Sequence, residues 1–369
     1  MLNDEIDAAQ RLVRTDAYQM SLGEIVSMYE AEEIIIHPEF QRLFRWNSSQ
    51  KSKLIESLLL GIPLPSIFVF EKDDGKWELI DGLQRLSTIL EFMGVLKTPE
   101  GEERIPSVLE ATKYLPSLHN VVWNPADGAS DLPLAEQVSL DKVQKLAIRR
   151  ARISVEILKR PSGNQTKFDL FQRLNAGGTQ ANAQELRNCV MLMVSDQDFR
   201  LVKNVAESES FKAVTAVSED QIEKQRHMEF AVRFLVHTNT NYDGVLDVEE
   251  YVDDGIIQLF NANKVEEIVE VMQETFDLLE QAIGSDALRR YEGGRHTGKV
   301  GLVGLEGVAV GVGRNLSAIK SLPNPKTFVL EKAQSFWVQP QAGNLTSPGL
   351  RGTVRLQRTI PFGDLWFRP

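Results

Sequence analysis

The 369-residue sequence has a single cysteine, Cys189. No disulfide can close within the chain, and no cysteine cage for zinc can be built. Histidine is scarce as well, and His37, His119, His227, His237 and His296 are dispersed. No pair has the i, i+4 spacing of a zinc-binding helix. His227 and His237 fall on one expected helix, about 15 Å apart along its axis, too far to share an ion. No stretch approaches the roughly 18 apolar residues of a membrane span. There is no G-x-S-x-G nucleophile elbow, no internal repeat and no low-complexity tract. The opening MLNDEIDAAQRLV lacks the basic-then-apolar pattern of a signal peptide. These absences lead us to expect a soluble protein of a reducing cytoplasm, without membrane contact.

Hydrophobic residues at 42% and charged residues at 25% are the proportions of a globular chain. The length suggests two to three domains. The net charge of −11 argues against coating nucleic acid by charge alone. That charge is localised. Residues 243–280 hold twelve carboxylates and one base, Lys264, and so account for the whole excess. We read this segment as a solvated face. The remainder is neutral, with basic runs from Gln41 to Lys53 and from Lys142 to Arg160.

The first half alternates strand and helix signals. Ser21 with Glu24 starts a helix to about Ala31, and Ile34-Ile35-Ile36 reads as a buried strand. Asn47 or Ser48 caps a helix that stops at Gly61. Ile67–Phe70 and Trp77–Ile80 form strands around the Asp73-Asp74-Gly75 turn. A helix with Leu86, Ile89, Leu90 and Met93 on its apolar face follows Asp81-Gly82, and Arg152–Leu158 alternates as a strand. From about residue 165 the periodicity is helical, including one long face from Val265 to Ile283 ended by Gly284. The fold class is therefore α+β followed by a mainly α-helical part. We place the domains at 1–163 and 164–369, with 98–135 as an insertion or long loop.

Three short motifs carry chemistry-bearing residues. Phe40-Gln41-Arg42, with Arg45 and Trp46, falls on an expected loop at a strand end. Arginine offers a rigid donor fork to phosphate, and glutamine can orient a water; a plain surface loop explains the same residues. Asp81-Gly82-Leu83-Gln84-Arg85 joins a strand end to a helix start, where unpaired N–H groups attract anions. Asp81 can hold a metal or a water there, or simply cap the helix. Phe171–Gly178, then Glu185-Leu186-Arg187-Asn188, reads as a helix end with close backbone approach at Gly177-Gly178, or as an ordinary helix–helix joint. Two other patterns fail. Gly293–Lys299 has phosphate-loop spacing, but Val300 replaces the magnesium-binding hydroxyl. Gly301, Gly304, Gly307 and Gly311 fit a helix packed closely on a neighbour better than a dinucleotide fingerprint.

Taken together these pieces resemble the family defined by the N-terminal domain of GmrSD-type restriction enzymes. The matching residues are Phe40-Gln41-Arg42 with Trp46, the run Leu54–Pro63, Ile80–Leu86, Phe171–Gly178 and Glu185–Asn188. Arg226-His227-Met228-Glu229, followed by Arg233-Phe234-Leu235, continues the likeness. The resemblance implies a ParB/sulfiredoxin-like N-terminal fold and a nucleotide-binding, NTP-hydrolysing protein of bacterial anti-phage restriction. It implies catalytic roles for Asp81, Gln84, Arg85 and Gln41. It implies phosphate contacts from Arg42, Arg45, Gly82, Arg85, Asn175, Gly177, Gly178 and Arg187, and Mg²⁺ held by Asp81. A nucleoside triphosphate is then substrate or ligand. DNA, a separate nuclease or defence subunit and a second copy of this chain are the implied partners. The sequence departs from the family at Leu83, where the usual residue is glutamine, and in lacking a recognisable His-Asn-His nuclease domain. Two other functions stay open: a ParB-like nuclease or nickase using the same site, and a non-catalytic sensing or scaffold subunit.

Overall fold

The computed structural model describes residues 2, 14–37, 46–98, 101–125, 132–159, 182–262, 264–346 and 349–369. The chain divides into two compact units, 1–181 and 182–369. The boundary expected at 163/164 lies outside the described residues.

The first unit is mixed α and β, in the order β1 (Arg14–Ser21), α1 (Leu22–Glu30), β2 (Ile34–Ile35), α2 (Ser48–Leu59), β3 (Ile67–Glu71), β4 (Trp77–Asp81), α3 (Leu83–Met93), β5 (Val121–Val122), β6 (Val138–Ser139), α4 (Lys142–Arg150) and β7 (Arg152–Lys159). Its five-stranded sheet has the order β1-β7-β3-β4-β2. β3 and β4 are antiparallel, β7 runs parallel to β3, and β1 closes antiparallel on β7. Ile67, Val69, Leu79, Ile80, Val155 and Ile157 are buried in this sheet, and Leu86, Ile89 and Leu90 of α3 are buried with them. Local signals set the boundaries. Ser21 Oγ accepts from Glu24 N–H, and Asn47 forms a reciprocal capping box with Gln50. Gly61 and Gly94, both at positive φ, follow the ends of α2 and α3.

Two elements were not anticipated. β1 has no clear alternation of its own and is held by its eight-residue ladder with β7. α4 carries a capping box, Asp141 with Gln144, inside what reads in sequence as a basic run. Within 98–135 the described residues form the short strand β5, which pairs in parallel with β6, and two single-turn 3₁₀ segments. Glu56 of α2 pins this stretch by accepting from the Thr112 hydroxyl and from the N–H groups of Tyr114 and Leu115.

The second unit is helical: α5 (Ala183–Val194), α6 (Asp196–Ala206), α7 (Glu209–Thr215), α8 (Glu219–Glu223), α9 (Arg226–Asn239), α10 (Val248–Asn261) and α11 (Val265–Ile283). A hairpin of β8 (Arg290–Glu292) and β9 (Arg295–Thr297) follows. After it come a π-helical turn (Gly304–Ala309), α12 (Val310–Arg314), α13 (Leu316–Lys320), α14 (Pro325–Val338), α15 (Pro340–Leu345) and α16 (Gly352–Trp366). Among the described residues no helix is long and apolar enough to cross a membrane.

Gly304, Gly307 and Gly311 of the glycine series form a close-packed face, whereas Gly301 precedes the helical turn and a Cβ there would meet nothing within 4 Å. A Cβ on Gly363 of α16 would stand 2.2 Å from Gly307 O, and one on Gly304 would stand 2.2 Å from Leu288 O. Gly293–Lys299, rejected above as a phosphate loop, is the turn and second strand of the β8–β9 hairpin.

The acidic segment is only partly a solvated face. On α11 Glu266, Glu267, Glu270 and Glu274 are exposed, but α10 turns carboxylates inward. Asp253 and Glu249 both pair with the buried Arg187, and Glu249 also pairs with Arg233. Burial alone would raise the pKa of Glu249. The charges of Arg233 and Arg187 outweigh it and hold the group below the usual carboxylate range.

His237 is fully buried on α9, stacked on Tyr251, with neither ring nitrogen hydrogen-bonded. Desolvation, reinforced by Arg233, Arg314, Arg355 and Arg187, holds its pKa well below the ordinary value. The unfolded chain therefore binds a proton more readily than the folded one. Stability from this group is present above about pH 6.5 and is lost as pH falls below it. Replacing His237 by Phe should flatten the pH dependence of unfolding free energy between about pH 6.5 and 5. Urea titrations at several pH values would check this, and an unchanged slope would contradict it.

Candidate phosphate site at the Asp81 turn

The central hairpin brings the end of β4 against the start of β3. Gly82 caps α3 from a left-handed conformation at φ 96°. A side chain there would collide with Ile67, since a Cβ would lie 2.4 Å from Ile67 Cγ2. Glycine therefore answers both the backbone turn and the close approach. No side chain caps the first turn of α3, and the partial positive charge of a helix start collects at its N–H groups.

Arg85, in the first turn of α3, folds back over this corner. Its Nη2 donates to Ser66 O at 2.9 Å and to Asp81 Oδ2 at 3.2 Å. Its Nε is buried and has no partner. The guanidinium is thus fixed along one edge by the start of β3 and the end of β4, and Nη1 makes no hydrogen bond to the described residues. Gln84 Oε1 accepts from Trp46 N–H at 3.2 Å, which ties the turn to the segment entering α2. Beneath the turn, the buried Glu91 of α3 receives Lys51 of α2 and Arg104, the latter at 2.9 Å. This three-way pairing was not read from the sequence. A charge at position 91, amid Leu86, Ile89, Leu90 and Met93, was the available signal.

The structure therefore brings Asp81, Gly82, Gln84 and Arg85 together on one turn. Gln41, Arg42, Arg45, Asn175, Gly177 and Gly178 lie outside the described residues. Arg187 belongs to the second unit. It is buried on α5, with its charge met by Asp253 and Glu249, so the reading of it as a phosphate ligand runs against an occupied guanidinium. A pocket of about 330 Å³ opens beside it, lined by Gln184, Lys224, Arg226 and Glu229 among others.

Among the described residues no group of three or more His, Cys, Asp or Glu side chains could hold a metal ion. Asp81 supplies a single carboxylate. That suits magnesium bound chiefly through substrate phosphates and waters rather than through a protein cage.

Neither a curated protein nor a solved structure matches the chain. Residues 22–192 match the family described as GmrSD restriction endonuclease, N-terminal domain. That span contains the Asp81 turn and the whole sheet except β1, so it is the first unit and the start of the second that are similar to this family.

Proposed function

We propose that the first unit binds a nucleoside triphosphate at the Asp81–Arg85 turn and hydrolyses it, and that hydrolysis controls a DNA-directed activity in anti-phage defence. The observation that carries this reading is Arg85, a cation fixed at an uncapped helix start with one guanidinium edge free of hydrogen bonds to the described residues. Phosphate oxygens would take Arg85 Nη1 and the first-turn N–H groups of α3. Gln84 would orient the attacking water from the same turn. Asp81 would keep Arg85 in place and offer one oxygen to a magnesium ion, whose chemistry is to neutralise phosphate charge. Trp46 follows directly on Arg45 in the chain, and its bond to Gln84 supports a share in the site for Gln41, Arg42 and Arg45.

A charge-assisted hydrogen bond is worth about 1.5–3 kcal/mol, so Arg85→Ala should weaken nucleotide binding by at least about tenfold. Calorimetric titration with ATP and GTP, alongside phosphate release and plasmid integrity with and without Mg²⁺, tests this. Unchanged affinity and turnover in Arg85→Ala would remove the assignment. Plasmid nicking without phosphate release would replace it with a nuclease.

A further inference from the structure

The second unit contains a cavity of about 600 Å³ whose lining includes the β8–β9 hairpin, the π-helical turn, α14, α15 and α16. Its volume falls within the range of small-molecule sites. One side is apolar, formed by Leu288, Leu302, Val303, Leu345 and Leu350. Arg290, Glu292, Thr297 and Thr346 contribute polar groups to the lining, and three further side chains have donor capacity to spare.

Trp337 is 8% exposed and lines the cavity, yet its indole N–H is buried and donates to nothing. Leaving such a group unpaired is costly, and an acceptor within the cavity would relieve that cost. Arg355 lines the same space. It is clamped from behind by the buried Glu306, with Nε and Nη2 each 2.9 Å from a carboxylate oxygen. That clamp occupies one edge of the guanidinium and fixes its orientation, and Nη1 makes no hydrogen bond to the described residues. Lys299, just after the hairpin, is exposed, lines the cavity and has no ion-pair partner among the described residues. Arg290 at the rim is neutralised by Glu292 at 3.4 Å. Arg355 and Glu306 likewise cancel, so Lys299 leaves the site with one uncompensated positive charge.

We propose that this cavity binds a small organic anion, a phosphate or carboxylate head on an apolar body. Lys299 and Arg355 take the head, Trp337 N–H donates to an acceptor on the ligand, and the leucine-lined side covers the body. The assignment is independent of the Asp81 turn, which belongs to the other unit.

The test is isothermal titration of the full chain with AMP, octanoate and inorganic phosphate, the first two separating a phosphate head from a carboxylate one. AMP or octanoate should saturate the protein below about 1 mM. Inorganic phosphate, lacking the apolar body, should bind at least about tenfold more weakly. Lys299→Ala and Trp337→Phe should each weaken the better ligand by about tenfold. Lys299 is exposed, and phenylalanine keeps most of the ring volume of Trp337, so both variants should melt with the parent chain. Arg85→Ala should bind octanoate as the parent does and should keep the part of AMP binding that Lys299→Ala and Trp337→Phe remove, which separates this site from the nucleotide site. Absence of saturation by both organic probes, equal binding of inorganic phosphate, or full affinity in both variants would overturn the proposal.

Discussion

Asp253→Ala should cost the second unit about 3–5 kcal/mol, because it leaves a buried arginine without its buried counter-charge. Arg187 is 1% exposed, and Asp253 is buried beside it. The other partner, Glu249, has a half-exposed side chain that it divides between Arg187 and Arg233. Water already screens Glu249 in part, so Glu249→Ala should cost less than Asp253→Ala. For a unit of this size the Asp253 loss corresponds to a fall in melting temperature of roughly 6–20 °C. Arg187→Met combined with Asp253→Leu removes both charges together and should recover most of that loss, since an apolar pair of similar volume needs no desolvation of ions. Thermal melts of the single and double variants decide the matter. A single variant as stable as the parent, or a double variant worse than the sum of its parts, would show that the pairing is not what holds α5 to α10.

Gly82→Ala should be the most damaging small change in the first unit. The left-handed conformation at φ 96° costs a non-glycine residue about 1–2 kcal/mol. The new methyl would also meet Ile67, and forcing an extra group into a packed site costs about 1–3 kcal/mol. Ile67 sits in the central hairpin at 1% exposure and pairs with Val155 of β7, so it has little room to yield. A combined loss of about 2–5 kcal/mol follows, readable by urea denaturation. Ile67→Ala in the same chain would open space for the methyl while leaving the φ strain. The double variant should therefore be more stable than the two separate losses predict. Strict additivity would mean that the collision does not occur. Since Gly82 sets the direction of the first turn of α3, nucleotide affinity should fall with stability.

Features written in consecutive residues were legible in the sequence. α2 announces itself by the Asn47 box and Gly61, α11 by its apolar stripe and Gly284, and the β3–β4 hairpin by Asp73-Asp74-Gly75. The Asp81 turn was legible for the same reason, because strand end, glycine and helix start are contiguous. Features that depend on distant partners were not. β1, with the sequence RTDAYQMS, is a strand because β7 offers it a full ladder nearly 140 residues later. The acids of α10 look like solvent charge until Arg187 and Arg233 fold against them. Arg187 in turn looks like a ligand for phosphate until those acids occupy it. Charge type was visible at each position, but the pairing that decides its role is a property of the fold.

The glycine face of the second unit has a further consequence. Where backbone meets backbone, as Gly363 meets Gly307 and Gly304 meets Leu288, alignment is all or nothing. A slip of one residue would drive Leu305 or Val308 into a space that holds only a hydrogen atom. The π-helical turn is thereby locked against rewinding into an ordinary helix, and Gly304, which lines the cavity, is locked with it. An empty hollow beside leucines would ordinarily tend to shrink. Here the backbone along one side is keyed in place, so a guest would find the space already shaped and spend none of its affinity on opening it.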